Sequence, residues 1–200
     1  YFTAGIHPSE AERASEEELA GIAALLSEEK CVALGEIGLD YHWDTPSRAA
    51  QQALFVRQLV LADAAGLPVQ IHSRDCCQDM LALLREHRAL LKRGFLMHCY
   101  SHGAANLPAF SELGAYFSFG GVACFKNAAN VWESVKACPA DRILTETDSP
   151  YLSPFRGQKN TSANIPVIAR RLAAMRETDE ALFAEQVRKN AHTLFSKLGK

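Results

Sequence analysis

A set of polar side chains stands where short apolar runs end: His7, Glu36, Asp40, His72, Arg74, His98, Glu146 and Asp148. Neutral imidazole and ionised carboxylate are the donor types that hold Zn²⁺, Mn²⁺ and related divalent ions. Singly, each has a plain alternative. A buried histidine is more often a hydrogen-bonded interior group, and Glu36, beside Gly35 and near Gly38, could simply pair with a neighbour. Two imidazoles (His72, His98) and two carboxylates (Glu36, Asp148), all at strand ends, are much less readily explained that way. The stretch ILTETDSPYLSP (143–154) makes the point: a β-branched, apolar start runs into Glu146 and Asp148, and Pro150 then stops it. Clustered carboxylates at the end of a buried strand are costly unless a cation meets them. Arg74 lies two residues past His72 and so shares its face in an extended strand, where its guanidinium could fork onto phosphate oxygens.

The elements that must position these groups are legible from periodicity. Strand-like stretches cover 1–8, 31–40, 67–75, 94–101, 115–121 and 142–150. Amphipathic, helix-like segments separate them. In SRAAQQALFVRQLVLADAAG, Leu54, Leu61 and Ala65 fall at three-to-four spacing and Gly66 closes the helix. Ser15 and Glu18 form a capping-box signature ahead of another. His87 and His192 fall in helical segments and read as structural or exposed. Strand and helix in alternation predict an α/β chain with a parallel sheet, either doubly wound or closed as a TIM (β/α)8 barrel. No G-x-G-x-x-G or Walker pattern follows any strand. Barrel enzymes place their chemistry at the C-terminal ends of several strands, so the barrel is favoured.

Composition sets outer limits. The chain has 200 residues, 48% hydrophobic and 22% charged, which suits one sizeable core, and a single domain over 1–200 is expected. A net charge of −2 gives no global basic field, so a polyanionic substrate needs local cations or metal ions. No apolar run approaches the roughly 18 residues of a membrane span. The six cysteines have no C-x-x-C spacing and read as reduced thiols of a cytoplasmic protein. No obligate protein partner is evident.

AGIHP (4–8), GEIGLDYH (35–42), LPVQIHSRD (67–75), HCYS (98–101) and ETDSPYLSP (146–154) occur in an order and spacing that resembles the TatD family of metal-dependent deoxyribonucleases. FRGQKN (155–160) is similar to that family's Arg-Gly-x-x-Asn loop. The resemblance covers essentially the whole chain. It implies an amidohydrolase-like TIM barrel with two divalent ions (Mg²⁺, Mn²⁺ or Zn²⁺) that cleaves phosphodiesters of DNA, with RNA as the second candidate substrate. By the same resemblance Glu36 bridges two metals, and His72 and His98 bind one of them. Asp148 is the last-strand ligand that also handles a water proton, so Glu36 and Asp148 are the catalytic pair. The resemblance makes Arg156, with Asn160, a substrate contact; Arg74 joins them by its strand parity with His72, and His7, with His42 and Tyr151, could reach bases or phosphates from loops. Gly35 and Gly38 would leave room for ions beside Glu36, though turn geometry alone would also account for both.

The sequence also departs from the family pattern. The family's opening strand, ending in Asp-x-His-x-His, has no counterpart here. His102 stands where a glycine is usual, and Ser9 follows Pro8 where a histidine is common. The strands present match the family's third through eighth, so the barrel is expected to lack its first two strand–helix units here, and the native polypeptide is expected to extend upstream of Tyr1. Two rival readings stay open. One is another amidohydrolase-like hydrolase acting on amides or small esters; the other is a catalytically inactive barrel that binds a partner.

Overall fold

In a computed structural model the chain is described over residues 1–199. Thirteen elements alternate almost strictly: β1 (Phe2–Ala4), α1 (Glu16–Leu26), β2 (Cys31–Asp40), α2 (Arg48–Ala65), β3 (Val69–Arg74), α3 (Cys77–Glu86), β4 (Phe95–Met97), α4 (Leu107–Ser111), β5 (Ala115–Phe119), α5 (Ala129–Ala137), β6 (Ile143–Thr145), α6 (Ile165–Met175) and α7 (Glu180–Leu194). Each strand falls inside a stretch expected from the sequence. Among the described residues, no helix is long and apolar enough to cross a membrane. None of the cysteines forms a disulfide.

The chain divides into two compact units. The first holds Tyr1–His98, Ala109–Ala115 and the residues from His192 on. Within it β1 pairs with β2, β2 with β3 and β3 with β4, all parallel. Parallel neighbours need crossovers, and α1, α2 and α3 supply them. β2 is buried along nearly its whole length, as a parallel strand covered on both faces should be. Leu34, Ile37, Leu39, Phe55, Leu59, Ile71 and Phe95 are fully shielded from solvent and form the centre of this unit's core. The capping box at Ser15 and Glu18 is present, and Gly66 ends α2 in the left-handed conformation, at φ +65°.

One expectation about α2 is corrected. Its buried stripe is Gln51, Leu54, Phe55, Gln58, Leu59 and Ala62, while Leu61 is only half-buried and Ala65 is exposed. Two glutamines face inward because each hydrogen-bonds main chain at or just past the end of a strand, Asp40 closing β2 and Ile6 following β1. Gln58 Oε1 accepts from Ile6 N at 2.7 Å and its Nε2 donates to Ile6 O at 2.9 Å. Gln51 does the same for Asp40, at 2.8 and 3.0 Å. A glutamine amide mimics a peptide group, so it satisfies backbone polar groups that no strand reaches.

The second unit holds Cys99–Pro108 and Tyr116–Ala191. β5 and β6 run parallel, with Phe117 opposite Ile143 and Phe119 opposite Thr145. The ladder continues one step beyond β6, where Glu146 N donates to Phe119 O at 3.2 Å. Phe117 and Phe119 of β5 and Ile168 and Leu172 of α6 are buried. Asn190 of α7, also buried, donates to Ile143 O at 2.8 Å and Ala140 O at 2.9 Å, tying that helix to the start of β6.

Candidate metal centre

Register brings the first unit's polar residues to one end of its sheet. In the β2–β3 ladder Gly38 lies opposite His72 and Asp40 opposite Arg74. His98 N donates to Ile71 O at 2.9 Å, which carries the β3–β4 ladder one residue past Met97 and sets His98 beside His72 in the sheet. The alternation of β3 places His72 and Arg74 on one face and buries Val69, Ile71 and Ser73 on the other. Arg74 is exposed.

The glycines flanking Glu36 have a reason other than room for ions. A Cβ on Gly35 would sit 2.6 Å from Gln70 Cβ, and one on Gly38, whose φ is +142°, would sit 1.9 Å from His72 O. Strand β3 occupies that space. Both positions require glycine so that β2 and β3 can approach, and the approach is what carries His72 to Glu36.

His7, Glu36 and His72 each offer a donor atom within 4.8 Å of the other two. Glu36 Oε1 also lies 3.0 Å from His98 Nε2, and His72 Nε2 lies 3.0 Å from Asp40 Oδ2. The rings of His7 and His72 meet edge-on with centroids 4.6 Å apart. Asp40 is nearly buried, and its other oxygen accepts from His42 N at 3.0 Å, so it is fixed while it orients His72. Burial, then the neighbouring His72, pushes the His7 imidazole below its ordinary value and keeps it neutral. Burial pushes the Glu36 carboxyl up, but the hydrogen bond and charge of His98, with the His72 and His7 imidazoles, outweigh that and leave it below the usual carboxylate range. A lowered His7 imidazole beside a Glu36 carboxyl held below its usual range gives the donor states that ligation requires. The group fits a divalent ion.

His7 was read from the sequence as a substrate contact; its place in the cluster comes from Gln58, which fixes Ile6 immediately before it. The nearby loop after Asp40 carries a further constellation. His42 Nδ1 lies 3.2 Å from Asp75 Oδ2, and the exposed Trp43 ring packs edge-on against His42. Tyr41 donates to Asp79 Oδ2 at 3.0 Å and accepts from Gln52 at 2.8 Å.

In the second unit, Glu146 Oε2 accepts from Ser118 Oγ at 2.6 Å. Asp148 follows two residues later in the left-handed conformation, at φ +58°. Aspartate tolerates this region better than most residues, and outliers of this kind concentrate at functional sites. Tyr151 N donates to Asp148 O at 2.9 Å, closing a turn there. Arg156 is exposed on the following loop. Asn160 behaves differently from the expected substrate contact: it is 3% exposed, donates to Thr147 O at 2.6 Å, and accepts from Thr161 N and Asn164 Nδ2. Its amide anchors the loop to the end of β6. His87 is the residue just past α3 rather than within it, and His192 lies in the last turn of α7.

The sequence model of the family described as "TatD related DNase" matches residues 1–196. A Bacillus subtilis protein named as an uncharacterized metal-dependent hydrolase, YabD, is 40% identical over 197 residues, spanning 98% of this chain and 77% of the relative. The 3'-5' ssDNA/RNA exonuclease TatD of Edwardsiella piscicida is 34% identical over 202 residues, with 98% and 77% covered. Among solved structures, the TatD homologue YjjV of Escherichia coli K12 superposes with a TM-score of 0.92 at 30% identity, over 98% of this chain and 76% of that one. The α/β fold of TIM-barrel type expected from strand–helix alternation is thereby borne out.

Proposed function

The chain belongs to the TatD family of metal-dependent hydrolases, and from that premise we propose that it is a divalent-metal-dependent phosphodiesterase that removes nucleotides from DNA, with single strands as the natural substrate. The observation that carries this reading is the convergence of His7, Glu36 and His72 donor atoms within 4.8 Å, with His98 on the same Glu36 carboxylate. The nuclease name of the Edwardsiella piscicida relative supports the substrate class. The reading takes residues 1–200 as one hydrolase domain, which the family match across both compact units supports.

In this reading Glu36 and His72, with His98 and Asp148, hold two ions drawn from Mg²⁺, Mn²⁺ or Zn²⁺, and His7 stands beside them. Bound ions of this kind lower the pKa of an attacking water and offset charge on the phosphate. The chain's own residues do the rest. Burial pushes the Glu36 carboxyl up, but its contact with His98 through Oε1, with His72 and His7 nearby, leaves it below the usual carboxylate range. Asp40 fixes the ring of His72 by its 3.0 Å contact, so the donor direction is set before substrate arrives. Asp148 accepts the proton of the attacking water. Arg74 and Arg156 receive phosphate oxygens, and Asn160 holds Arg156's loop in place. Cysteines without disulfides suit a reducing compartment, which supports a cytoplasmic location.

The test is release of nucleotides from single- and double-stranded DNA with Mg²⁺, Mn²⁺ or Zn²⁺ added in turn, with a chelator control, alongside metal analysis of the protein. Release that needs metal and is faster on single strands is expected. A metal-loaded protein that cleaves amides or small esters but no DNA would refute the proposal.

A further inference from the structure

A cavity of about 680 Å³ lies within the second unit, walled by two loops, 124–127 and 152–158. That volume is in the range of small-ligand sites. Its walls carry two cations, Lys126 and Arg156, two aromatic rings, Phe125 and Phe155, and the amides of Asn127 and Gln158. Among the described residues, neither the Lys126 ammonium nor the Arg156 guanidinium makes a hydrogen bond or ion pair. Phe155 is 43% exposed, high for a large apolar ring. Asn127 leads into α5, whose first residues receive no side-chain cap from Ala128, so the positive end of that helix starts one residue from the wall.

The walls are fastened. A Cβ on Gly121 would lie 1.8 Å from Leu152 O, so the two loops meet backbone to backbone at their base. Trp132 Nε1 donates to Ala123 O at 3.0 Å, pinning the first loop. The second loop is held by Asn160 N donating to Pro150 O at 3.0 Å, by Asn160 Nδ2 on Thr147 O, and by Gln158 N on Phe155 O at 3.2 Å. Two cations in the lining, one exposed ring (Phe155) beside a half-buried one (Phe125) and a tethered backbone together describe a receptor for an anion that carries a flat apolar group. A solvated loop would account for the cations alone. It would not account for a tethered cavity with both rings in its wall.

We infer that this cavity is a nucleotide subsite, in which Lys126 and Arg156 take a backbone phosphate of a single strand and Phe155, backed by Phe125, stacks its unpaired base. The inference rests on the nuclease reading for the identity of the ligand. Base–aromatic stacking tolerates any sequence, so the subsite binds strands without base preference.

The experiment measures binding apart from turnover. A fluorescein-labelled thymidine decamer with phosphorothioate linkages, which resist cleavage, is titrated by anisotropy with Mg²⁺ present, across a salt series. The Lys126→Gln/Arg156→Gln double variant should bind more weakly at low salt, and the slope of log K against log salt should flatten by about 0.7, the amount for one phosphate neutralised on a single strand. Phe155→Ala should weaken binding by about five- to hundredfold with the slope unchanged. All three side chains are exposed, and unchanged melting curves confirm that each variant folds. Parental affinity and slope in the double variant would overturn the subsite. So would inorganic phosphate or a phosphoserine peptide that displaces the decamer as well as thymidine monophosphate does. Parent protein is assayed in parallel for nucleotide release from an unmodified decamer. Release by a parent whose variants bind normally removes the subsite and leaves the reaction standing; binding losses in a protein that cleaves nothing do the reverse.

Discussion

Replacing Gln58 by leucine tests how the first unit builds its candidate metal site. Gln58 is fully buried in α2, and its amide makes paired bonds of 2.7 and 2.9 Å with the N–H and C=O of Ile6. Leucine keeps the approximate volume, so the cavity contribution is small and the loss is that of two hydrogen bonds. Each such bond contributes about 1 kcal/mol net, and a buried group left without a partner costs about 1–3 kcal/mol. Ile6 is half-buried, so water reaches part of the freed main chain and holds the cost towards the lower end. The expected destabilisation is about 2–4 kcal/mol, read from urea unfolding of apo protein. The same change frees the main chain immediately before His7, so metal affinity by calorimetry should fall by about tenfold or more, the effect usual for losing an outer-shell partner. Gln58→Glu keeps the acceptor but loses the donor and buries a charge, and it should destabilise at neutral pH more than at pH 4. A leucine variant within about 0.5 kcal/mol of the parent and equal in metal affinity would refute the argument, because the peptide-like pairing would then be incidental.

Asp148→Asn should lower nucleotide release by more than the about 10²–10⁴ of an ordinary acid–base residue while leaving the unfolding midpoint in place; retention of half the parental rate removes Asp148 from the reaction. Arg74→Ala should raise KM for long single strands and flatten its salt dependence, and Arg74→Lys should recover little if the contact is bidentate; matching kinetics at low and high salt return Arg74 to plain surface. The Glu18 carboxyl is held below its ordinary 4.5 by Ser15 N–H, then by the Ser15 hydroxyl. A depressed folded value adds stability above about pH 4.5 that disappears as pH falls through it. The gap in unfolding midpoint between parent and Ser15→Ala should therefore narrow from pH 6 to pH 3.5; a constant gap places the effect elsewhere.

The sequence by itself determined the strand–helix order and the kinds of ligand at the strand ends, because both are written locally. Period-two and period-3.6 patterns need only a few adjacent residues, and His98 and Asp148 follow directly from where the apolar runs stop. Glu36 and His72, expected at strand ends, lie within β2 and β3. The motifs also carried the family. Tertiary structure decided which of these groups share a volume. Gln58 reads as a surface residue in its own helix and becomes a core residue only because Ile6, 52 positions away, needs its amide. That pairing brings His7 into reach of Glu36 and His72, which no local pattern encodes. Gly35 and Gly38 looked like space for ions, and the crossing of β3 showed whose space it is. Asn160 is a substrate contact by the resemblance of its loop to the family's Arg-Gly-x-x-Asn motif, whereas its burial and its bond to Thr147 O make it an anchor of that loop. In each case the partner lies on another element, so the side chain's role is fixed by register and packing rather than by its neighbours in sequence.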